Sequence, residues 1–472
     1  MPSSHNHSVT SDLIDIVFEK VQEIPDPRSQ KGRSSNISIA DFFMYSLGVF
    51  HNKNASLLTC DDKRDQPTIK ENAKSLYHVE HIPCDTYLRS TIDLVQTKHI
   101  RPLFLACLAY CQRRGKLKQF QYFKEGYLAP IDGTQTFTSK SISCKNCCTK
   151  NADNPKKTTI YYHQLSAICL VKPGLKTVIP LMPEPITQQK DASKNDCEVR
   201  ALERILEDLA REHYHLKLVL GLDGLYSKGP TLKLIRSYGH HFIAVAKDTD
   251  HKALLESIDD LDRKGQVRRF TYTDKRGHRH SFRYVNGAPL NKSHPDFIVN
   301  YVDYVETDPD GKVKYFNSWV TNLPIHNHMC CMKIMRGGRA RWLIENETFN
   351  TLKNLGYSLE HNFGHGEDNL SSNLACLMFL AFLIDQIVEL SCPLFNEALT
   401  ANKRKKTLWE KQRNFFEIFV VSSWALFMKG LILQGAPEPK AKAKAKAKQV
   451  KQWLPTNTRQ KAEPENRCIH NF

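Results

Sequence analysis

The chain has 472 residues, enough for two to four domains with a large buried core. Lysine and arginine exceed aspartate and glutamate by 67 − 50 = 17, a balance that favours a polyanionic partner, nucleic acid before anionic membrane. The 14 cysteines follow no regular disulfide framework and residues 1–10 carry no apolar signal core, which argues against a secreted disulfide scaffold and for a reducing cytoplasmic compartment.

Residues 1–125 read as a helical domain. Residues 13–24 form a short amphipathic run. Ser38, Ile39, Ala40 and Asp41 make a capping-box pattern ahead of the apolar run 42–50. Asp85 is placed to cap a helix over 86–95. Residues 101–113 form an apolar-striped helix that runs into Arg113, Arg114, Lys116 and Lys118. A compact helical module with basic edges suits DNA binding, and equally an ordinary helical subdomain with solvated charge.

At Gly126 the period changes. Strands are predicted at 127–137, 159–171 and 177–181, then a helix over 196–214 with Leu202, Ile205, Leu206 and Leu209 on one face. A fourth strand at 217–222 ends in Asp223-Gly224. Gly229-Pro230 opens a short helix, and 241–246 is a fifth strand. This order predicts a five-stranded mixed sheet with helices on its faces, over 126–247. Residues 248–323 predict two hairpins, 267–272 with 280–284 and 297–306 with 313–320, as a β-rich insertion. Residues 324–434 are expected to be mainly helical. Stretches 374–390 and 415–433 approach membrane length, but Asp385, Glu389, Glu417 and Lys429 interrupt them, so core helices are expected rather than spans. Residues 435–472 form a basic tail with alternating Lys and Ala at 440–448. It is predicted to be disordered, either adding non-specific affinity for a polyanion or serving as a solvated end.

The most informative stretch is 340–356. On a helical step of ~100° with Trp342 at zero, Phe349 falls at about 340°, Leu352 at about 280°, Leu355 at about 220° and Ile344 at about 200°. Glu345, at about 300°, and Arg341, at about 260°, lie within that apolar face, whereas Glu347 lies opposite at about 140°. An inward carboxylate needs a partner, either Arg341 in a structural ion pair or a metal ion. Two further acids sit at chemically informative places. Asp132 lies on the first strand with Gly133 beside it for close approach, and Asp223 ends the fourth strand before Gly224. In the predicted sheet these strands are central neighbours. Three convergent carboxylates repel one another unless cations bind between them, and oxygen donors favour Mg²⁺ or Mn²⁺. Two such ions about 4 Å apart suit in-line phosphodiester chemistry.

The order Asp132, Asp223, insertion, Glu345 resembles the DDE transposases of bacterial insertion sequences, in the branch with a β-rich insertion before the glutamate. The resemblance runs from Asp26-Pro27-Arg28 to the helices after Gly366. Its most specific pieces are Ile131-Asp132-Gly133-Thr134, Leu222-Asp223-Gly224, and the run from Arg341 through His361-Asn362-Phe363-Gly364-His365-Gly366. The resemblance implies a ribonuclease-H-like core, with Asp132, Asp223 and Glu345 as catalytic ligands of two Mg²⁺ or Mn²⁺ ions. It also implies a DNA-end-binding N-terminal domain, DNA ends and target as partners, at least a dimer on DNA, no membrane, and a nucleoid-associated place in the cytoplasm. Relatives carry Tyr-x₂-Arg-x₃-Glu-x₆-Lys around the glutamate. Here Arg341 and Glu345 keep the spacing, Gly338 replaces the Tyr, and Leu352 replaces the Lys, with Lys353 one residue later. Arg341 is expected to contact phosphate, Trp342 either to stack on an unpaired base or to lie in the core, and Lys353 to reach DNA from a position rotated by ~100°. The rival readings are a non-catalytic DNA-binding derivative and a nuclease without joining activity.

Cys144, Cys147 and Cys148 with His163 form a separate candidate for structural zinc, against free thiols in a loop. Cys197, His240 and His241 are further ligand candidates only through the predicted fold. His361 and His365 are spaced i, i+4, but Gly364 and Gly366 predict a loop there with no metal role.

Overall fold

The computed structural model describes residues 8–29, 36–152, 154, 156–187 and 197–434. The tail with its Lys/Ala run lies outside the described residues. Among the described residues the architecture is mixed α/β, built on one open sheet of eleven strands. These are β1 (Tyr127–Ser139), β2 (Cys148–Lys150), β3 (Ile160–Leu170), β4 (Ile179–Pro180), β5 (Glu184–Ile186), β6 (Leu218–Leu222), β7 (His241–Val245), β8 (Arg268–Thr273), β9 (Arg279–Asn291), β10 (His294–Thr307) and β11 (Val313–Thr321). Their spatial order is β2-β3-β1-β6-β7-β11-β10-β9-β8, with β4 and β5 also on β3. Only β1–β6 and β6–β7 are parallel. Every residue of β6 is buried. Its run Leu-Val-Leu-Gly-Leu is the near-continuous apolar sequence that a central parallel strand requires.

The third predicted strand, 177–181, is reduced to the two-residue β4, and the short β5 follows beyond it. Pro180, Pro183 and Pro185 remove backbone donors there, so no long ladder can form. The insertion is a continuous meander rather than two separate hairpins, because β9 pairs with both β8 and β10. It joins the main sheet through β11 on β7. Gly287 and Pro289 look like breakers in sequence. Gly287 instead takes a φ of 83° where the β9–β10 register shifts, so the strand continues through a bulge. At the meander's turns, Asp274 accepts from the N–H groups of Arg276 and His278, and Asp308 from those of Asp310 and Lys312. Gly277 and Gly311 both supply a φ of 82°.

In the helical part, Ser38 and Asp41 form both bonds of the capping box ahead of the helix Ile39–His51. Asp85 does not cap its helix. It is the first helical residue, after Cys84, and its carboxylate accepts from Arg89 Nε at 2.7 Å. The helix Leu370–Ser391 is long and apolar enough to cross a membrane, yet 83% of its apolar window is buried inside the protein. It packs on Ile39–His51, Asp85–Leu94 and Arg101–Arg113, so the N- and C-terminal helices interlock in one layer.

That layer is pinned by a buried polar group. Lys53 Nζ donates to Asp385 Oδ2 at 2.5 Å and to the His51 carbonyl at 2.7 Å. Tyr357 OH also donates to Asp385. His51 Nε2 lies 3.3 Å from Asp385 Oδ1, and its Nδ1 lies 2.8 Å from Tyr77 OH. A neutral imidazole satisfies both contacts, with the proton on Nε2 toward the carboxylate and the Tyr77 hydroxyl donating to Nδ1. Burial would raise the Asp385 carboxyl, but Lys53 and His51 hold it well below the usual range. Removing one partner of such a pair leaves a buried charge uncompensated. Lys53→Met is therefore expected to destabilise the fold by about 3–5 kcal/mol in urea unfolding, with Lys53→Met/Asp385→Leu recovering most of the loss.

Burial also pulls His51 below its usual range, with Asp385 only partly opposing. Below about pH 6.5 the unfolded chain therefore binds a proton at His51 that the folded chain resists, so stability falls as pH falls. Asp385, depressed in the folded state, contributes stability above about pH 3.9 that is lost on further acidification. Urea midpoints measured from pH 8 downward should begin to drop near about pH 6.5, and His51→Gln should flatten that first part of the drop.

Candidate active site

The site is set by the register of β1 on β6. Tyr127 pairs with Leu218 and Pro130 with Gly221 in a parallel ladder. Continuing the same register by two residues brings Asp132 opposite Asp223, with strands about 4.8 Å apart. Parallel partners in register project to the same face, and the continued register puts both acids at the carboxyl end of β6. β6 stops at Leu222 while β1 runs on to Ser139. Asp223 therefore begins a turn, its Oδ1 accepting from Leu225 N–H at 2.9 Å. A Cβ on Gly224 would stand 2.9 Å from Lys247 Cε, so a glycine there lets the lysine stem lie across the turn. Asp132 Oδ1 accepts from Gly133 N–H at 2.9 Å.

Glu345 arrives on a helix that is not the continuous α-helix expected from the sequence. The helix His328–Arg339 ends, the chain turns through Ala340 and Arg341, and Ile344–Phe349 form a widened π-turn before Asn350–Asn354. The wider turn breaks the constant 100° phase. Ile344, Phe349 and Leu352 are buried as expected, but Trp342 is 51% exposed and does not belong to the core face. Its ring instead lies 5.4 Å from the Arg341 guanidinium. Glu345, not Glu347, makes the inward contacts. Arg341 Nη1 reaches Glu345 Oε1 at 2.7 Å and Asp132 Oδ2 at 3.0 Å. Glu345 also stands within hydrogen-bonding reach of Asp132, whose carboxyl is pushed up to about 7, chiefly by burial. Arg341 opposes that shift and Glu345 adds to it.

A fourth acid stands close by, on the Gly133 side of β1. Glu198 opens the helix Glu198–Glu212, accepting from Gln164 Nε2 at 2.8 Å and from Tyr226 OH at 3.3 Å. Burial raises its carboxyl above the usual range, and the charge of Asp223 adds to the rise. Any Cβ at Gly133 would overlap Glu198 Oε1. The glycine beside Asp132, expected to allow close approach, thus admits another carboxylate. That glycine was the sequence signal for Glu198; nothing marked which residue would fill the space.

Lys353 Nζ pairs with Glu360 at 2.7 Å, and Leu352 is fully buried. At Gly338 a Cβ would overlap the indole of Trp319, which is itself fully buried. The aromatic volume at this point therefore comes from β11, and a Tyr at 338 would have no room.

The cysteine cluster differs from the expected set. Cys144, Cys147, His163 and His365 bring one donor atom each to within 4.8 Å of one another. Cys148 is not part of it. As the neighbour of Cys147 entering β2 it projects to the other side, with Sγ 3.6 Å from the Ile186 carbonyl. Its place is taken by His365, whose flanking glycines do form a loop, and that loop carries the imidazole to Cys147. Cys197, His240 and His241 lie outside the cluster.

Among the described residues, this Cys/His group is the set of His, Cys, Asp or Glu side chains close enough to hold a metal ion as it stands. In the acid site the Arg341 guanidinium lies between Asp132 and Glu345. The acids nonetheless have the chemistry for a hard divalent cation. They offer oxygen donors only, and two carboxylates, Asp132 and Glu345, share the single Arg341 guanidinium. No known protein-family model matches the chain, and no curated protein matches it significantly.

Gly133→Ala is expected to destabilise the protein by about 1–3 kcal/mol through overpacking against Glu198. Adding Glu198→Ala should recover most of this in a double-mutant cycle. Strictly additive losses would mean that the two positions do not touch.

Proposed function

We propose that this protein is a DDE-type transposase of a bacterial insertion sequence, on a ribonuclease-H-like core, which cleaves DNA at element ends and joins the freed 3′-hydroxyl to target DNA. The carrying observation is the contact of Glu345 with Asp132, bridged by Arg341, next to a parallel β1–β6 ladder whose register, continued two residues beyond its last pair, sets Asp223 across from Asp132. The sheet order supports the core assignment, with antiparallel β3 on one side of β1, parallel β6 and β7 on the other, and the meander as an insertion. A net charge of +17 suits the polyanionic partner.

On this reading Asp132, Asp223 and Glu345 hold two Mg²⁺ or Mn²⁺ ions, which when bound supply Lewis-acid stabilisation of the scissile phosphate's oxygens. The chain's own groups position the reactants. Glu198, held by Gln164 and Tyr226, places a further carboxyl near Asp223. Arg341 turns from the acids to the phosphate as DNA and cations enter, exchanging one anion for another. Trp342, already exposed beside Arg341, offers a face for an unpaired base at the cut end. Water attacks phosphorus at the element end and breaks the bond to the 3′-oxygen, which leaves as a hydroxyl. That hydroxyl attacks a target phosphodiester, forming the new strand bond and releasing a target 3′-oxygen. Two ends must be processed together, so the DNA complex contains at least two copies of the chain.

Asp132→Asn, Asp223→Asn and Glu345→Gln should each lower strand cleavage by at least about a thousandfold in Mg²⁺, with binding to the element ends kept within a few-fold. A substrate carrying the free 3′-hydroxyl, mixed with a target plasmid, should give joined product. Cleavage without joining would favour a plain nuclease, and wild-type cleavage in any of the three variants would remove that residue from the machinery.

A further inference from the structure

The Cys/His cluster stands apart from the acid crevice and has its own geometry. Cys144 Sγ and Cys147 Sγ are 3.9 Å apart. His163 Nε2 lies 3.5 Å from Cys144 Sγ and 3.6 Å from Cys147 Sγ. His365 Nε2 lies 3.3 Å from Cys147 Sγ. A tetrahedral zinc ion with bonds of about 2.3 Å to sulfur and about 2.0–2.1 Å to nitrogen requires S–S edges of about 3.8 Å and S–N edges of about 3.5 Å. These four edges lie close to those values, and all four donor atoms fall within 4.8 Å of one another.

The surrounding chain is built to hold these four donors. Cys147 N–H donates to the Cys144 carbonyl at 3.2 Å, closing a tight turn that aims both sulfurs the same way. Lys145 pairs with the Asp368 carboxylate, and Asn146 donates to its carbonyl, which fastens the cysteine turn to the His365 loop. Gly364 and Gly366, at φ of 146° and 69°, supply the backbone turns on either side of His365. Asp93 fixes the far end of the loop. It accepts from the N–H groups of Glu367, Asp368, Asn369 and Leu370 at 2.8–3.0 Å. Cys147 and His163 are buried, and Cys144 and His365 are half-buried.

We propose that Cys144, Cys147, His163 and His365 bind one Zn²⁺ ion in a closed, structural site that staples the segment following the Glu345 helix to β3 and to the loop after β1. All four ligands come from the chain, so no position is left open for water or substrate. Two thiolates and two neutral imidazoles leave the bound ion without net charge, which suits a partly buried site. The assignment does not depend on the transposase reading.

The test is the metal content of the full-length protein, purified under reducing conditions, refilled with Zn²⁺ and freed of excess metal by gel filtration. Wild type should retain about one zinc per chain. Cys148→Ser and His361→Ala, which alter the neighbouring cysteine and the exposed histidine four residues before His365, should retain the same. Cys147→Ser and His365→Ala should fall to below about one-tenth. Because a ligand variant can also misfold, wild type refilled with Co²⁺ provides a second reading. It should show tetrahedral d–d absorption and a thiolate-to-metal charge-transfer band. Either a wild type that retains less than about one-tenth zinc per chain, a Co²⁺ form without that band, or equal losses in Cys148→Ser and Cys147→Ser would overturn the site. None of these readouts involves DNA cleavage, so failure here is distinct from failure of the proposed activity.

Discussion

Strand β1 is held on two edges, by β3 along most of its length and by β6 over its first residues only. The candidate site follows from that unequal pairing. Where β6 ends, the second half of β1 loses a neighbour and a crevice opens at the carboxyl ends of the parallel strands, where open α/β sheets present ligand sites. Asp132 lies at the start of the unpaired edge and Asp223 at the end of the strand that left it. The Glu345 segment enters over the sheet, and Glu198 enters from the helix that follows β5. Each acid belongs to a different element, and the β1–β6 register relates the first two.

Charge balance separates this crevice from the other buried ionic group. Lys53 and Asp385 are matched one to one, and the aromatic and hydroxyl groups around them leave no charge over. That arrangement is structural. In the acid site Asp132 and Glu345 share one guanidinium, and the Asp132 and Glu198 carboxyls are raised, chiefly by burial, with Glu345 adding to the first and Asp223 to the second. A fold keeps an unbalanced set of acids at some cost in stability, which is why such sets point to ligands rather than to packing.

Much of this was legible in the sequence because the signals were local. An acid followed by glycine at a strand end, a capping box, and Asp/Gly turns each depend on neighbours within a few residues, and each appears where expected. What was missed depended on geometry that a linear pattern does not carry. The widened turn at Ile344–Phe349 defeats a fixed helical phase, which puts Trp342 on the apolar face; of its two readings, base stacking or core, the exposed side chain leaves the first. Cys148 was grouped with Cys147 because adjacency in sequence hides the alternation of an extended chain. His365 lies 218 residues from Cys147, and the loop that carries it is anchored by Asp93, which nothing nearby in sequence announces. Glu198 has the ordinary look of a charged residue at a helix start.

The buried Lys53–Asp385 pair also bears on how the molecule comes into being. Its partners are 332 residues apart. At about 5–20 residues per second, a chain emerging from the ribosome waits roughly 20–70 s between the two. Through that interval Lys53 has no counter-ion, and the apolar faces of the first helices have no helix 370–391 to cover them. The N-terminal helices are therefore not an independent folding unit. They form the first half of a core whose second half arrives last, and the sheet that carries the acids must form while its helical cover is still incomplete.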